Sequence, residues 1–144
     1  MADRVDPRAR RRARRALVQA LYQWQLASAS AASIIDQFRA GESLGNADDE
    51  FFEDCLRGTM LDVNALELCF AEYLNRTLDQ LDKVERAILR AGTFELKHRL
   101  DVPFKVVIDE YVRLAKTFGA AESHRFVNGV LDRVARDLRD VERV

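Results

Sequence analysis

The chain has 144 residues, the length of one domain, with 48% hydrophobic and 33% charged residues, a globular balance that excludes a disordered polyelectrolyte. Six Gly and two Pro punctuate it too sparsely for an all-β fold. The net charge of −1 is a sum of unlike parts: seven arginines against two aspartates in the first fifteen residues, no charge over 16–35, and four basic against thirteen acidic side chains over 36–85. A basic head beside an acidic middle points to two partner surfaces.

Helical periodicity runs along the chain with no sustained period-two run. The expected fold class is all-α: about seven helices in two helical subdomains of one compact domain, an N-terminal half over 7–74 and a C-terminal half over 82–143. The first helix starts near Pro7, a residue suited to a first turn. Its buried stripe is Ala13, Leu17, Ala20, Leu21 and Trp24, and its arginines take most of the remaining circumference in the first two turns. Ala27 to Ser33 reads as a turn. Ile34, Ile35 and Phe38 form a short helix ended at Gly41, and a loop follows to Asn46. Asp48 caps a third helix with Phe51, Phe52, Cys55, Leu56 and Met60 on one face.

A fourth helix covers Val63 to Leu74, and 75–81 links the halves. Asp82 with Glu85 fits a capping-box-like start, followed by Val84, Ile88, Leu89 and Leu96 at helical spacing. Pro103 sits just inside the next helix, whose apolar face is Val107, Ile108, Tyr111, Leu114, Ala115 and Phe118, and Gly119 ends it as a C′ residue. The last helix runs from near Ser123 with Phe126, Val127, Val130, Leu131, Val134 and Leu138 on one face. Gly92 and Gly129 fall inside helices, where each costs about 1 kcal/mol relative to Ala; close approach of two helices is the expected compensation.

Catalytic motifs are scarce. The chain has two histidines, His98 and His124, and no H-E-x-x-H, G-x-S-x-G or phosphate-cradling loop. Glu95 and His98 make one E-x-x-H, without the second that a di-iron bundle needs. Cys55 and Cys69 lie fourteen apart and read as buried reduced thiols. No enzyme activity, metal or cofactor is expected. No stretch reaches the ~18 apolar residues of a membrane span. The arginine-rich start runs straight into an amphipathic helix rather than a Ser-rich transit peptide, so the expected location is cytoplasmic.

The basic head is the stronger lead. Arginine presents a planar fork of donors that suits phosphate oxygens. Arg8, Arg10, Arg11, Arg12, Arg14 and Arg15 would follow a nucleic-acid backbone, and single-stranded RNA is commonly read by aromatic stacking beside such residues. Trp24 lies in the apolar stripe and reads as core. Tyr22 lies off it and reads as surface.

These residues resemble the NusB family of bacterial transcription antitermination factors. The resemblance rests on Arg10-Arg11-Arg12-Ala13-Arg14 followed by Val18-Gln19-Ala20-Leu21-Tyr22-Gln23-Trp24, and on Val84-Glu85-Arg86-Ala87-Ile88-Leu89-Arg90. It continues through Asp101-Val102-Pro103-Phe104-Lys105, Leu114-Ala115-Lys116-Thr117-Phe118-Gly119, and Ser123-His124-Arg125-Phe126-Val127-Asn128-Gly129. It implies two helical halves. It also implies binding of boxA-type ribosomal leader RNA together with NusE, a small-subunit ribosomal protein, within the RNA polymerase antitermination complex. Arg10, Arg11, Arg12 and Arg14 fall on the family's RNA-binding segment and Tyr22 on its RNA-proximal tyrosine. Glu122 and Phe126, with Arg125 between them, fall near the RNA surface. Glu85 falls on an acidic residue facing NusE, and Asp79 would extend that acidic surface.

Three features depart from some relatives: Arg15 replaces an acid, Ala121-Glu122 replaces a more acidic pair, and Arg133, Arg136, Arg139 and Arg143 mix with acids where others carry a lysine-rich tail. A related domain is fused to ribosomal RNA cytosine methyltransferases. The length and the lack of a glycine-rich loop favour a free-standing factor here. The alternative is a homo-oligomeric helical interaction module without direct RNA binding, a homodimer whose arginine head docks on the acidic middle of its neighbour.

Overall fold

The computed structural model describes residues 5–140; Arg4 of the basic head and Arg143 lie outside them. The helices are α1 (Pro7–Leu26), α2 (Ala31–Ala40), α3 (Asp49–Leu61), α4 (Val63–Ala71), α5 (Lys83–His98), α6 (Phe104–Phe118) and α7 (Ser123–Leu138), with a 3-10 turn at Leu78–Gln80. Every regular element among the described residues is helical, and the fold is all-α.

Short polar side chains set the starts. Asp6 accepts from the Arg8 amide ahead of α1, and Asp48 from the Phe51 amide ahead of α3. Ser30 accepts from the Ser33 amide, which starts α2 at Ala31, inside the stretch that composition reads as a turn. Asp82 accepts from the Glu85 amide, but the capping box is only half made. The Glu85 carboxylate turns instead to Ser123 at the start of α7, whose hydroxyl donates to it at 2.8 Å. Pro103 precedes α6 rather than opening it.

α5 is the hub. Its residues from Ala87 to Leu96 are all buried, and it packs against α1, α3, α4, α6 and α7. Its small residues Ala87, Ala91 and Gly92 let neighbours approach from several sides. The two halves therefore share one hydrophobic core. Arg139, just past α7 and 3% exposed, locks the end of this hub. Its guanidinium donates to the carbonyls of Glu95, Leu96, Arg99 and Val102 at 2.7–3.2 Å. That places a cation on the negative end of the α5 dipole, supplies a donor to the last-turn carbonyl of Leu96, and ties the following loop to the helix end.

The glycines divide by what surrounds them. A Cβ on Gly92 would lie 3.0 Å from Leu131 Cδ1, so close packing against α7 accounts for it. Gly129 has nothing within 4 Å of that point, and the expected close approach is absent there. Gly119 ends α6 with φ of −89°, not in the left-handed region. A Cβ there would sit 2.7 Å from the Ala115 carbonyl oxygen, so contact rather than torsion demands glycine. The tightest site is Gly58 in α3, where a Cβ would stand 2.2 Å from the Phe94 ring. Gly58→Ala should therefore cost about 1–3 kcal/mol by overpacking. Gly129→Ala should instead stabilise by up to about 1 kcal/mol through helix propensity. Urea unfolding of the two variants checks the contrast, and equal effects would contradict it.

Candidate nucleic-acid interface

The arginine head does not behave as one patch. Positions 10, 14, 17 and 21 recur at helical spacing, so Arg10 and Arg14 share the inner stripe of α1 with Leu17 and Leu21. Arg14 is 3% exposed. Its Nε and Nη2 donate to the Glu95 carboxylate of α5 at 2.8 and 2.9 Å. Tyr111 of α6 donates its hydroxyl to the same carboxylate. Burial opposes the Arg14 charge, but hydrogen bonds and charge from Glu95 hold its pKa above the ordinary value. Burial, reinforced by the Glu95 charge, pushes the Tyr111 hydroxyl well up. Arg10 lies over the Phe51 ring at 4.5 Å and 3.6 Å from both Asp48 and Asp101.

Arg11 stands at the margin. Its Nε and Nη2 donate to Glu110 of α6 at 3.1 and 3.0 Å, yet its side chain is 48% exposed. Arg8, Arg12 and Arg15 occupy the outer face, and none makes an ion pair among the described residues. Arg15 instead places its guanidinium 5.1 Å from the centre of the Phe118 ring, within cation–π range.

Phe118 leads to Tyr22. Val18, Gln19, Tyr22, Val84 and Phe118 line a mostly apolar groove of about 210 Å³ between α1, the start of α5 and the end of α6. Tyr22 is surface-exposed there, as its place off the stripe predicts. Trp24 packs partly against the core and carries the Arg90 guanidinium over its ring at 5.5 Å. Sequence reading missed Val18, Val84 and Phe118, which look like ordinary core positions. Val84 and Phe118 are half-buried at the margins of their stripes while Val18 is buried at the floor, and only packing reveals that they meet.

Across the start of α5 lies a second cleft of about 510 Å³, lined in part by Arg76, Gln80, Glu85, Glu122 and Phe126. Arg76 stacks on Phe126 at 4.4 Å and approaches Glu85 at 3.5 Å. Glu122 and Arg125 are exposed and pair with each other at 3.2 Å. The structure therefore gathers Glu85, Glu122, Arg125 and Phe126 at one cleft.

The candidates for other chemistry are spent on structure. Glu95 turns inward to Arg14, while His98 turns outward to Asp62 at 2.7 Å, so the E-x-x-H pair is split. Cys55 is buried and Cys69 half-buried, both free thiols, and burial pushes both thiol pKa values up. Among the described residues no helix is long and apolar enough to cross a membrane.

Comparison with known proteins sets this surface in context. The family model of the NusB family matches residues 11–136. A transcription antitermination protein NusB of Alcanivorax borkumensis is 52% identical over 136 residues, covering 94% of this chain and 91% of that one. The chain belongs to the NusB family. The NusB of Sodalis glossinidius is 50% identical over 135 residues, covering 94% and 97% of the two chains. A structure of NusB from T. maritima superposes with a TM-score of 0.83 at 31% identity, covering 92% of this chain and 95% of that one. A crystal structure of the antitermination factors NusB and NusE in complex with double-stranded RNA matches with a TM-score of 0.80 at 25% identity, covering 90% and 98%.

The NusB resemblance placed Glu85 toward a protein partner, and its setting here is specific. It is 5% exposed, with one carboxylate oxygen on Ser123 and the other near Arg76. Asp79, on the 3-10 turn, is exposed and does not line that cleft. The two acids thus do not form one open surface, and Arg76 offsets the charge of Glu85.

Proposed function

We propose that this protein is a transcription antitermination factor that binds boxA-type ribosomal leader RNA together with NusE, acting in the cytoplasm as an adaptor rather than a catalyst. One observation carries the reading. On a NusB-family fold, the unpaired Arg8, Arg12 and Arg15 line the outer face of α1 and run into the Tyr22–Phe118 groove. The arginines hold phosphates in register, and the apolar groove accepts the face of an unpaired base. The related complex of NusB and NusE with RNA supports the choice of partners.

The cleft at Glu85, Glu122, Arg125 and Phe126 extends the same end of the molecule, with Asp79 on the turn preceding α5. We assign Glu85 and Asp79 to the NusE side. An exposed acid such as Asp79 accelerates encounter with a basic partner, whereas Glu85 contributes through the shape of its cleft. Holding RNA and protein on one scaffold raises the effective concentration of each for the other. Fluorescence anisotropy with labelled boxA RNA should show modest binding by this protein alone and tighter binding with NusE. Single-stranded RNA should outcompete duplex. No binding in either condition overturns the proposal.

A further inference from the structure

We propose that α6 forms a second wall of the RNA surface and that Arg113 supplies a phosphate contact there, so that the strand lies across two helices rather than along α1 alone. This rests on the RNA-binding function proposed above.

The first observation is how this chain spends its arginines. Arg39 serves Asp49 and Glu53, Arg86 and Arg90 serve Glu67, and Arg99 serves Asp54 and Asp101. Among the described residues, the guanidiniums with neither an ion pair nor a hydrogen bond to the protein are those of Arg8, Arg12, Arg15, Arg113 and Arg133. Three of these form the outer face of α1. Arg133 lies elsewhere, over the Tyr73 ring at 5.9 Å. Arg113 is exposed on α6.

The second observation is register. Glu110, Arg113 and Thr117 follow at spacings of three and four, so they share one edge of α6. That edge faces α1, because Glu110 receives Arg11 at 3.0 Å. One residue beyond Thr117, Phe118 meets Arg15 at 5.1 Å. Arg113 therefore sits on α6 between two contacts with α1. Thr117 bonds only the Arg113 carbonyl, at 3.2 Å, and leaves the guanidinium uncommitted.

The third observation is charge. Arg11 pairs with Glu110, which neutralises one of the two acids within a turn of Arg113; the other, Asp109 at i−4, is exposed and forms no ion pair with it. Arg113 and Arg15 then flank a neutral pair, with the apolar groove beyond. A cation kept unpaired at a helix edge beside other unpaired cations suits a polyanion.

The test is a titration of boxA RNA over a salt series with the full chain and the variants R113A, R113E and R133A. All three change exposed positions, and circular dichroism melts confirm folding. For R113A the slope of log K against log salt should fall in magnitude by about 0.7, one single-strand phosphate contact. R113E should weaken binding several-fold at fixed salt, and R133A should leave both quantities unchanged. An unaltered slope in R113A, or an equal loss in R133A, sinks the proposal, because net charge alone would then explain the result. A triple charge reversal of Arg8, Arg12 and Arg15 runs in parallel. If the unaltered chain binds no boxA RNA, the RNA-binding function fails with the proposal; if the triple reversal binds as the unaltered chain does, α1 is not the first wall and the two-helix surface fails; if the reversal abolishes binding while R113A does nothing, only the α6 wall fails.

Discussion

Glu95→Ala should destabilise the fold by about 3–5 kcal/mol, the usual cost of breaking a buried ion pair from one side. The side chains of Arg14 and Glu95 are 4% and 0% exposed. Removing the carboxylate leaves a buried guanidinium with only the more distant Glu110, at 3.8 Å, and strips Tyr111 of its acceptor. A domain of this size is stable by only about 5–15 kcal/mol, so the loss takes a large part of the whole. The double variant Arg14→Met/Glu95→Leu should recover most of it, since a well-packed apolar pair is often neutral against a buried ion pair. Urea unfolding of both variants decides the matter. A loss below about 1 kcal/mol in Glu95→Ala would fit only a solvent-screened pair and would refute the buried geometry. One consequence concerns the RNA surface: if Arg14→Ala abolishes RNA binding, lost folding explains it before lost phosphate contact does.

Reversing Arg8, Arg12 and Arg15 together to Glu should abolish boxA RNA binding with the fold intact. These side chains sit on the outer face of α1 and make no ion pair among the described residues. Their charge is therefore available to phosphates and not needed by the core. The salt dependence carries the number. Were all six arginines of α1 between Arg8 and Arg15, together with Arg113, phosphate ligands, the slope of log K against log salt would be about −5 for single-stranded RNA. With Arg10, Arg11 and Arg14 committed to Asp48, Glu110 and Glu95, three contacts on α1 give a slope of about −2, and a fourth from Arg113 about −3. A measured slope near −5 would mean that the internal pairs open to reach RNA. A triple reversal that still binds would remove α1 from the interface.

Much of this molecule was legible in one dimension. The helices appear where apolar residues recur at three and four, and Asp48 and Asp82 cap where they should. Those signals are local, decided within a turn or two of chain. Errors fell where local signals compete. Ser30 starts α2 inside an apparent turn, and Glu85 leaves its capping box for Ser123, a residue 38 positions away. Gly58 drew no notice, because its reason is the Phe94 ring on another helix.

The candidate site divides in the same way. That α1 carries an arginine face, and that Tyr22 lies on its outer side, follows from periodicity alone, because a helix fixes the angle between successive side chains. Which arginines remain unspent does not follow from it. Arg14 finds its partner 81 residues away and Arg11 finds Glu110 at 99. Six arginines that look equivalent along the chain become two inner struts, one shared side chain and three exposed cations. The distinction arises because a charge taken from water needs a counter-charge at contact distance, and only the packing of α5 and α6 against α1 supplies one.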